Sequence, residues 1–286
     1  MRSFLAFAPD FERIEVDRDD SSPEPYWLNG YLPGLDAAAL YGFLCQRNPS
    51  TYLEIGSGNS TQFARRAIRD HGLRTRIVSI DPTPRAEVDG LCDSVLRGGL
   101  ESVDLGLFDT LSDGDIVFFD GSHRTFTNSD ATVFFLDVLP RLPPGVLVQI
   151  HDVFLPDDYL ITFARVAFSE QYLLAVLLLA AGNDIRIVLP NWHAGQIDNL
   201  RGVIAELWDS PLLKRVATHG ASFWFERSGQ AAPPARLTSC RTRRSAPRTA
   251  DRRPSGSSSR SCGPGTAGSA AGRSRASPAA APHLRG

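Results

Sequence analysis

Lysine is nearly absent from this chain of 286 residues, and Lys214 is the only one. A phosphate-binding loop of the Gly-x-x-x-x-Gly-Lys-Ser/Thr type needs a lysine in a glycine-rich setting, which Lys214 does not have. The sequence also lacks a Gly-x-Ser-x-Gly nucleophile elbow. These two absences argue against a P-loop nucleotide hydrolase and against a hydrolase of the elbow type.

Cysteines and long apolar runs are also scarce. The four cysteines show no Cys-x-x-Cys spacing, which indicates neither a zinc site nor a disulfide framework and fits a reducing cytoplasm. The longest apolar run, residues 172–182, has about eleven residues, fewer than the roughly 18 to 20 that span a bilayer. We therefore expect no membrane segment.

Charge divides the chain into an acidic body and a basic tail. Residues 228–286 hold eleven arginines and one acid, whereas the whole chain has a net charge of −2. The tail has almost no large apolar residues, so it cannot offset the entropy of ordering, and we expect it to be disordered. Its only predicted contact with nucleic acid is nonspecific. The predicted organisation is an N-terminal segment over 1–33, which is a candidate cap, a catalytic domain over 34–227 and the tail.

Strand-like and helix-like runs alternate through the body. Strands are expected at 51–55, 76–80, 92–96, 115–120, 145–150, 184–189 and 221–225, with helices at 36–46, 60–71, 129–139, 158–168 and 170–181. This order predicts an α/β fold, a Rossmann-like doubly wound seven-stranded sheet with helices on both faces.

The first strand ends in a glycine turn, Glu54-Ile55-Gly56-Ser57-Gly58-Asn59-Ser60. Glycine lets the backbone approach a ligand closely, but dinucleotide-binding turns carry a third glycine where this chain has Thr61. Glu54 would repel a pyrophosphate and would suit the ammonium group of S-adenosylmethionine (SAM). The turn therefore favours SAM, with an NAD-dependent oxidoreductase as the alternative.

A second acid, Asp81, follows the next strand and should face the same crevice. Its carboxylate can accept hydrogen bonds from both ribose hydroxyls. Glu54 and Asp81 are also explained as solvated or capping acids, since acids commonly serve as caps.

Four segments together resemble successive motifs of a bacterial subgroup of class I SAM-dependent methyltransferases. They are residues 52–63, 79–85, 115–123 and 140–159. The resemblance implies that Glu54 holds the SAM amino group, that the turn from Gly56 to Ser60 lines the methionine portion, and that Asp81 binds the ribose. It also implies a seven-stranded sheet whose final strand is antiparallel.

Asp120, His123, His151 and Asp152 follow the fourth and fifth strands and should converge on the rim where the sulfonium methyl points. A hydroxyl acceptor must lose its proton, a task that suits histidine, so His123 and then His151 are the catalytic candidates, together with Asp152. Asp120 is assigned to the cofactor as well. The position also resembles that of catechol O-methyltransferase, which implies a Mg²⁺ site at Asp120 and Asp152. The nitrogen of His151 departs from that oxygen-rich pattern.

Each histidine also has a structural interpretation, as a loop cap or as one member of a hydrogen-bonded pair. The expected function is SAM-dependent O-methylation of a small-molecule hydroxyl, on a sugar or a secondary metabolite. The alternative from another class is a SAM-binding or partner-binding protein without turnover. Neither the acceptor nor the oligomeric state is encoded in a recognisable pattern.

Overall fold

In the computed structural model a seven-stranded sheet forms the centre of the protein, with the strand order β3-β2-β1-β4-β5-β7-β6. β1 to β5 are parallel, and β7 runs antiparallel to both β5 and β6. The strands are β1 Thr51–Ile55, β2 Arg76–Ile80, β3 Ser94–Leu96, β4 Ile116–Phe119, β5 Leu147–Ile150, β6 Ile185–Pro190 and β7 Phe223–Arg227. The predicted doubly wound fold is confirmed, and so is the antiparallel last strand.

Eight α-helices accompany the sheet in the part of the chain that the structure describes, residues 1–18, 22–84, 87–181 and 184–228. They are α1 Ala8–Phe11, α2 Gly34–Arg47, α3 Asn59–His71, α4 Asp130–Val133, α5 Ile161–Arg165, α6 Glu170–Ala180, α7 Asn191–Gln196 and α8 Asp198–Leu207. No helix among these residues is long and apolar enough to cross a bilayer. Apart from Ser228, the predicted tail lies outside the described residues.

Two hydrophobic clusters cover the two faces of the sheet. Successive side chains of a strand point to opposite faces, so Phe118 of β4 packs into one cluster while Phe119 packs into the other. Trp224 and Phe225 of β7 divide between the clusters in the same way. Both faces of the central strands are therefore buried under apolar side chains, as expected for a doubly wound sheet.

The order of the strands places the functional crevice. β1 lies between β2 and β4, so the chain winds in opposite directions on its two sides. Ligands bind outside the carboxyl ends of the strands at such a switch point. The glycine turn after β1 and the residues after β4 meet there.

Two predicted helices differ from the structure. The helix expected over 158–168 is only α5, since the chain leaves helical geometry at Ala167, which has a φ of +62°. The helix expected after Ser129 is α4 followed by a π-helical turn, Phe134–Val138. The Ser129 side chain caps α4 by accepting from the Thr132 amide.

Candidate active site

The turn after β1 needs glycine at its first position. Gly56 has a φ of +83°, and a Cβ built on it would overlap the carbonyl oxygen of Asp120. A Cβ on Gly58 would meet no atom within 4 Å, so this glycine opens onto free space. The turn therefore packs against β4 on one side and leaves room for a ligand on the other.

Glu54 is completely buried under this turn. Its Oε2 accepts hydrogen bonds from the Tyr52 hydroxyl at 3.0 Å and the Ser60 hydroxyl at 3.1 Å, and its Oε1 accepts one from Thr61. Burial raises the pKa of Glu54 to about 7, although these hydroxyl bonds oppose the shift. The carboxylate thus lies directly behind Ser60, which lines a cavity.

Asp81 connects the ends of β1 and β2. Its two carboxylate oxygens accept from the Ser57 amide and the Thr83 amide, both at 2.7 Å. Asp81 also lines a cavity next to the glycine turn. Its carboxylate therefore fixes the turn and faces the space predicted for the ribose.

Two cavities of about 620 and 470 Å³ flank the turn. Ser57 and Asp120 line both of them. The smaller cavity is also lined by Asp81, Glu101, Phe126 and Asp130, and the larger by Gly58, Asn59 and Ser60. The two cavities therefore meet at Asp120.

The N-terminal segment contributes to the larger cavity. Tyr26, Asn29 and Tyr31 line it together with residues of the glycine turn. Trp27 does not, since its buried ring packs against Phe63 and other aromatic residues of the core. One side of this segment thus faces the cavity, and the other packs as an ordinary core element.

The four side chains predicted at the reaction edge converge. Asp120, His123 and Asp152 each offer a ligand atom within 4.8 Å of the others. Nε2 of His123 lies 3.2 Å from Oδ1 of Asp120 and 3.6 Å from Oδ2 of Asp152. Burial alone would lower the pKa of His123, but Glu170 and the two aspartates raise it well above its ordinary value.

His151 lies on the other side of the same aspartates and is 2 % exposed. Its Nδ1 is 3.5 Å from Asp152 and 3.8 Å from Asp120, and its Nε2 is 3.3 Å from Asp36. Neither ring nitrogen forms a hydrogen bond with the part of the chain that the structure describes. Burial opposes a charge on this ring too, yet the surrounding carboxylates raise the pKa of His151 well above its ordinary value.

Comparison with known proteins agrees with this geometry. Residues 53–153 match a family model described as a methyltransferase domain. The similarity to a methyltransferase domain thus extends over about a third of the chain. The match covers the glycine turn, Asp81 and all four side chains of the reaction edge. No curated protein matches the chain.

Solved structures resemble the methyltransferase domain only distantly. The O-methyltransferase TomG of Streptomyces achromogenes, in complex with SAM, is 17% identical over 80% of this chain and 89% of its own, with a TM-score of 0.40. An O-methyltransferase of Bacillus cereus is 13% identical over 79% and 91%, with a TM-score of 0.42. MycE of the mycinamycin pathway, bound to Mg and S-adenosylhomocysteine, is 17% identical over 69% and 50%, with a TM-score of 0.39. At such scores the likeness says nothing about the acceptor of this chain.

Sequence reasoning missed two residues, Asp36 and Glu170. Both are completely buried, and each places a carboxylate against one of the two histidines. Glu170 lies 47 positions from His123, and both acids lie outside the residues that match the methyltransferase domain. No local spacing signals a contact over that separation. A buried acid in an otherwise apolar helix would have been the only hint.

The donor atoms at the reaction edge fit a divalent cation. Asp120 and Asp152 supply oxygens, and a nitrogen of His123 lies within 4.8 Å of them. The buried Nδ1 of His151 also faces the two aspartates and forms no hydrogen bond within the described residues. A set that includes imidazole suits Mn²⁺, Fe²⁺ or Zn²⁺ better than Mg²⁺, which prefers oxygen. The Asp36 carboxylate behind His151 resembles the outer support usual for a ligating histidine.

Proposed function

We propose that the methyltransferase domain transfers the methyl group of SAM to a hydroxyl oxygen of a small molecule, such as a sugar or a secondary metabolite. One observation carries the proposal: Asp120 lines both cavities and lies 3.2 Å from Nε2 of His123. A cofactor that extends through the crevice passes this point. The positive sulfonium, like a cation on the two aspartates, lowers the raised pKa of His123 and so favours the neutral ring that accepts a proton.

Residues around the crevice match the parts of SAM in order. Asp81 faces the ribose, and Gly56 to Ser60 face the methionine portion, with the free space beside Gly58 giving clearance. The negative charge of Glu54 attracts the ammonium group through Ser60, which separates the carboxylate from the larger cavity.

The chemistry needs an oxygen in line with the methyl carbon and the sulfur. The acceptor oxygen forms a bond to the methyl carbon, the carbon–sulfur bond breaks, and its electron pair returns to sulfur as S-adenosylhomocysteine. The hydroxyl proton passes to Nε2 of His123, which faces the reaction edge.

A divalent cation would be held by Asp120 and Asp152 with His151 as the third ligand. When bound, such a cation would favour the ionised form of an acceptor hydroxyl. His123 then remains the residue that takes up the proton.

We assign the catalytic unit to residues 34–227, with residues 1–33 as a cap over the larger cavity. Tyr26, Asn29 and Tyr31 support the cap, because they line the same cavity as the glycine turn. A reducing cytoplasm belongs to the same proposal, since Cys45 and Cys92 are free thiols. The basic tail remains a prediction.

The first test measures the binding of SAM and of NAD to the full chain by calorimetry. The second measures methyl transfer from radiolabelled SAM to 3,4-dihydroxybenzoate and to a glycoside. An amine analogue of each of these two acceptors is the control. SAM binding that Asp81→Ala weakens, together with labelled ethers, supports the proposal. Binding of NAD instead of SAM contradicts it. SAM binding without methyl transfer, unaffected when His123 and His151 are both replaced by alanine, would favour a binding protein without turnover.

A further inference from the structure

Glu170 is a completely buried carboxylate at the start of α6 that lines neither cavity. Its Oε1 lies 2.7 Å from Nδ1 of His123, while its Oε2 forms no hydrogen bond within the described residues. Burying an ionised carboxylate is costly unless it is paired. The contact with His123 therefore compensates the burial of this carboxylate.

Residues 168–170, at the start of α6 and just before it, hold His123 in three further ways. The Phe168 ring stacks on the imidazole with centroids 4.3 Å apart. The amides of Ser169 and Glu170 donate to the His123 carbonyl, at 2.8 and 3.3 Å. These contacts support a histidine whose φ is +60°, a backbone conformation that is uncommon for residues other than glycine. Backbone, ring face and ring nitrogen are thus all fixed by residues 168–170.

A carboxylate at one imidazole nitrogen decides which nitrogen carries the proton. Glu170 accepts only from a protonated Nδ1, so the opposite nitrogen, Nε2, is the one aimed at Asp120 and Asp152. We propose that Glu170 is a positioning residue that keeps a proton on Nδ1 of His123 and aims Nε2 at the acceptor side of the reaction edge. The inference rests on the proposed function, in which Nε2 of His123 takes up the hydroxyl proton.

Asp36 shows how a structural acid differs from Glu170. The Asp36 carboxylate also accepts from the amides of Ala221 and Ser222 and from the Asn191 side chain, so it joins several elements. The Glu170 carboxylate is bonded to His123 alone among the described residues. Changing Glu170 therefore alters one ring, whereas changing Asp36 alters the fold.

Two substitutions in the full chain separate charge from hydrogen bonding. Glu170→Gln keeps an oxygen that accepts from Nδ1, and Glu170→Met fills the space without an acceptor. The first measurement is the nitrogen NMR spectrum of protein labelled at its six histidines, with His123→Ala for assignment. At a pH above the raised pKa of His123, where the ring carries a single proton, we expect that proton on Nδ1 in the wild type and in Glu170→Gln, and its loss from Nδ1 in Glu170→Met. An unprotonated Nδ1 in the wild type, or an unchanged spectrum in Glu170→Met, overturns the proposal.

The second measurement is methyl transfer from SAM to 3,4-dihydroxybenzoate. We expect Glu170→Met to lower kcat about 10- to 100-fold with little change in the KM for SAM, and Glu170→Gln to recover most of the rate. Adding Glu170→Met to His123→Ala should cost nothing more. If Glu170→Met lowers kcat by the same factor in the His123→Ala variant as in the wild type, Glu170 has a merely structural role. If no methyl is transferred at all, the proposed function fails while the NMR result still decides the position of the proton.

Discussion

The glycine turn and the reaction edge both bury carboxylates, but they compensate the negative charge differently. Asp36 at the reaction edge faces His151 and accepts two backbone amides. Glu54 at the turn accepts from three hydroxyls and forms no ion pair within the described residues. Breaking a buried ion pair leaves an uncompensated charge and destabilises the fold, whereas a buried acid without a basic partner can pair with a bound cation.

The pKa values follow the same contrast. Burial raises the pKa of Glu54 to about 7. Burial acts on Asp36 as well, but its hydrogen bonds and the His151 charge hold the pKa of Asp36 below its ordinary value. Four predictions test this difference between the two regions.

The largest expected effect is on the fold. Asp36→Ala removes one member of a buried ion pair and leaves two backbone amides and the Asn191 side chain without their acceptor. We expect the free energy of unfolding, measured with urea, to fall by about 3 to 5 kcal/mol. Asp209→Asn, at an exposed acid, is the control and should change it by less than about 0.5 kcal/mol. Equal stability of the two variants would show that the hydrogen bonds of Asp36 do not stabilise the fold.

The second effect is on turnover. His123→Ala should lower kcat about 10² to 10⁴-fold, because the acceptor proton loses its base. The Kd for SAM should stay within about threefold, since His123 lines neither cavity. The exposed His219 provides the matched variant, His219→Ala, which should keep the wild-type rate. A His123→Ala enzyme at full rate would remove the proposed proton acceptor.

The third effect is on metal binding. Because the nitrogen of His151 faces Asp120 and Asp152, the full chain should bind Mn²⁺ about tenfold or more tightly than Mg²⁺ in calorimetry. His151→Asn replaces that nitrogen donor by an amide whose oxygen can bind, and should shrink the preference. Equal Kd values for the two ions in the wild type would mean that His151 is not a ligand.

Local patterns made the turn and its flanking elements predictable. The predicted bounds of β1 and β2 match the structure, because apolar β-forming runs end at Gly56 and at Pro82 within a few residues. The hydrogen bond between the Tyr52 hydroxyl and Glu54 could also have been predicted, since residues two apart on a strand share a face.

The supports of the two histidines were not predictable in this way. Asp36 and Glu170 reach the reaction edge only because α2 and α6 pack there, a consequence of the tertiary fold. Sequence spacing placed His123 and His151 at one edge, but it contained no information on what lies behind each ring. Positioning residues that come from distant helices are therefore the part of a site most easily missed.

The smallest expected effect concerns Glu54 and follows from the sign of its shift. Its pKa is higher in the folded chain than in the unfolded one, so the free protein loses stability as pH rises through about 7 and the buried group ionises. Burial favours the protonated form of Glu54 in the free protein, whereas the ammonium group of bound SAM favours the ionised carboxylate. The affinity for SAM should therefore rise about tenfold between pH 6 and pH 8, the change in the ionised fraction of a group with that pKa. The comparison is made against Glu54→Gln, in which the titration of SAM itself is the same but the carboxylate is absent. A constant ratio of wild-type to Glu54→Gln affinity over this range would mean that the charge of Glu54 does not hold the cofactor, and that its hydroxyl bonds serve the turn alone.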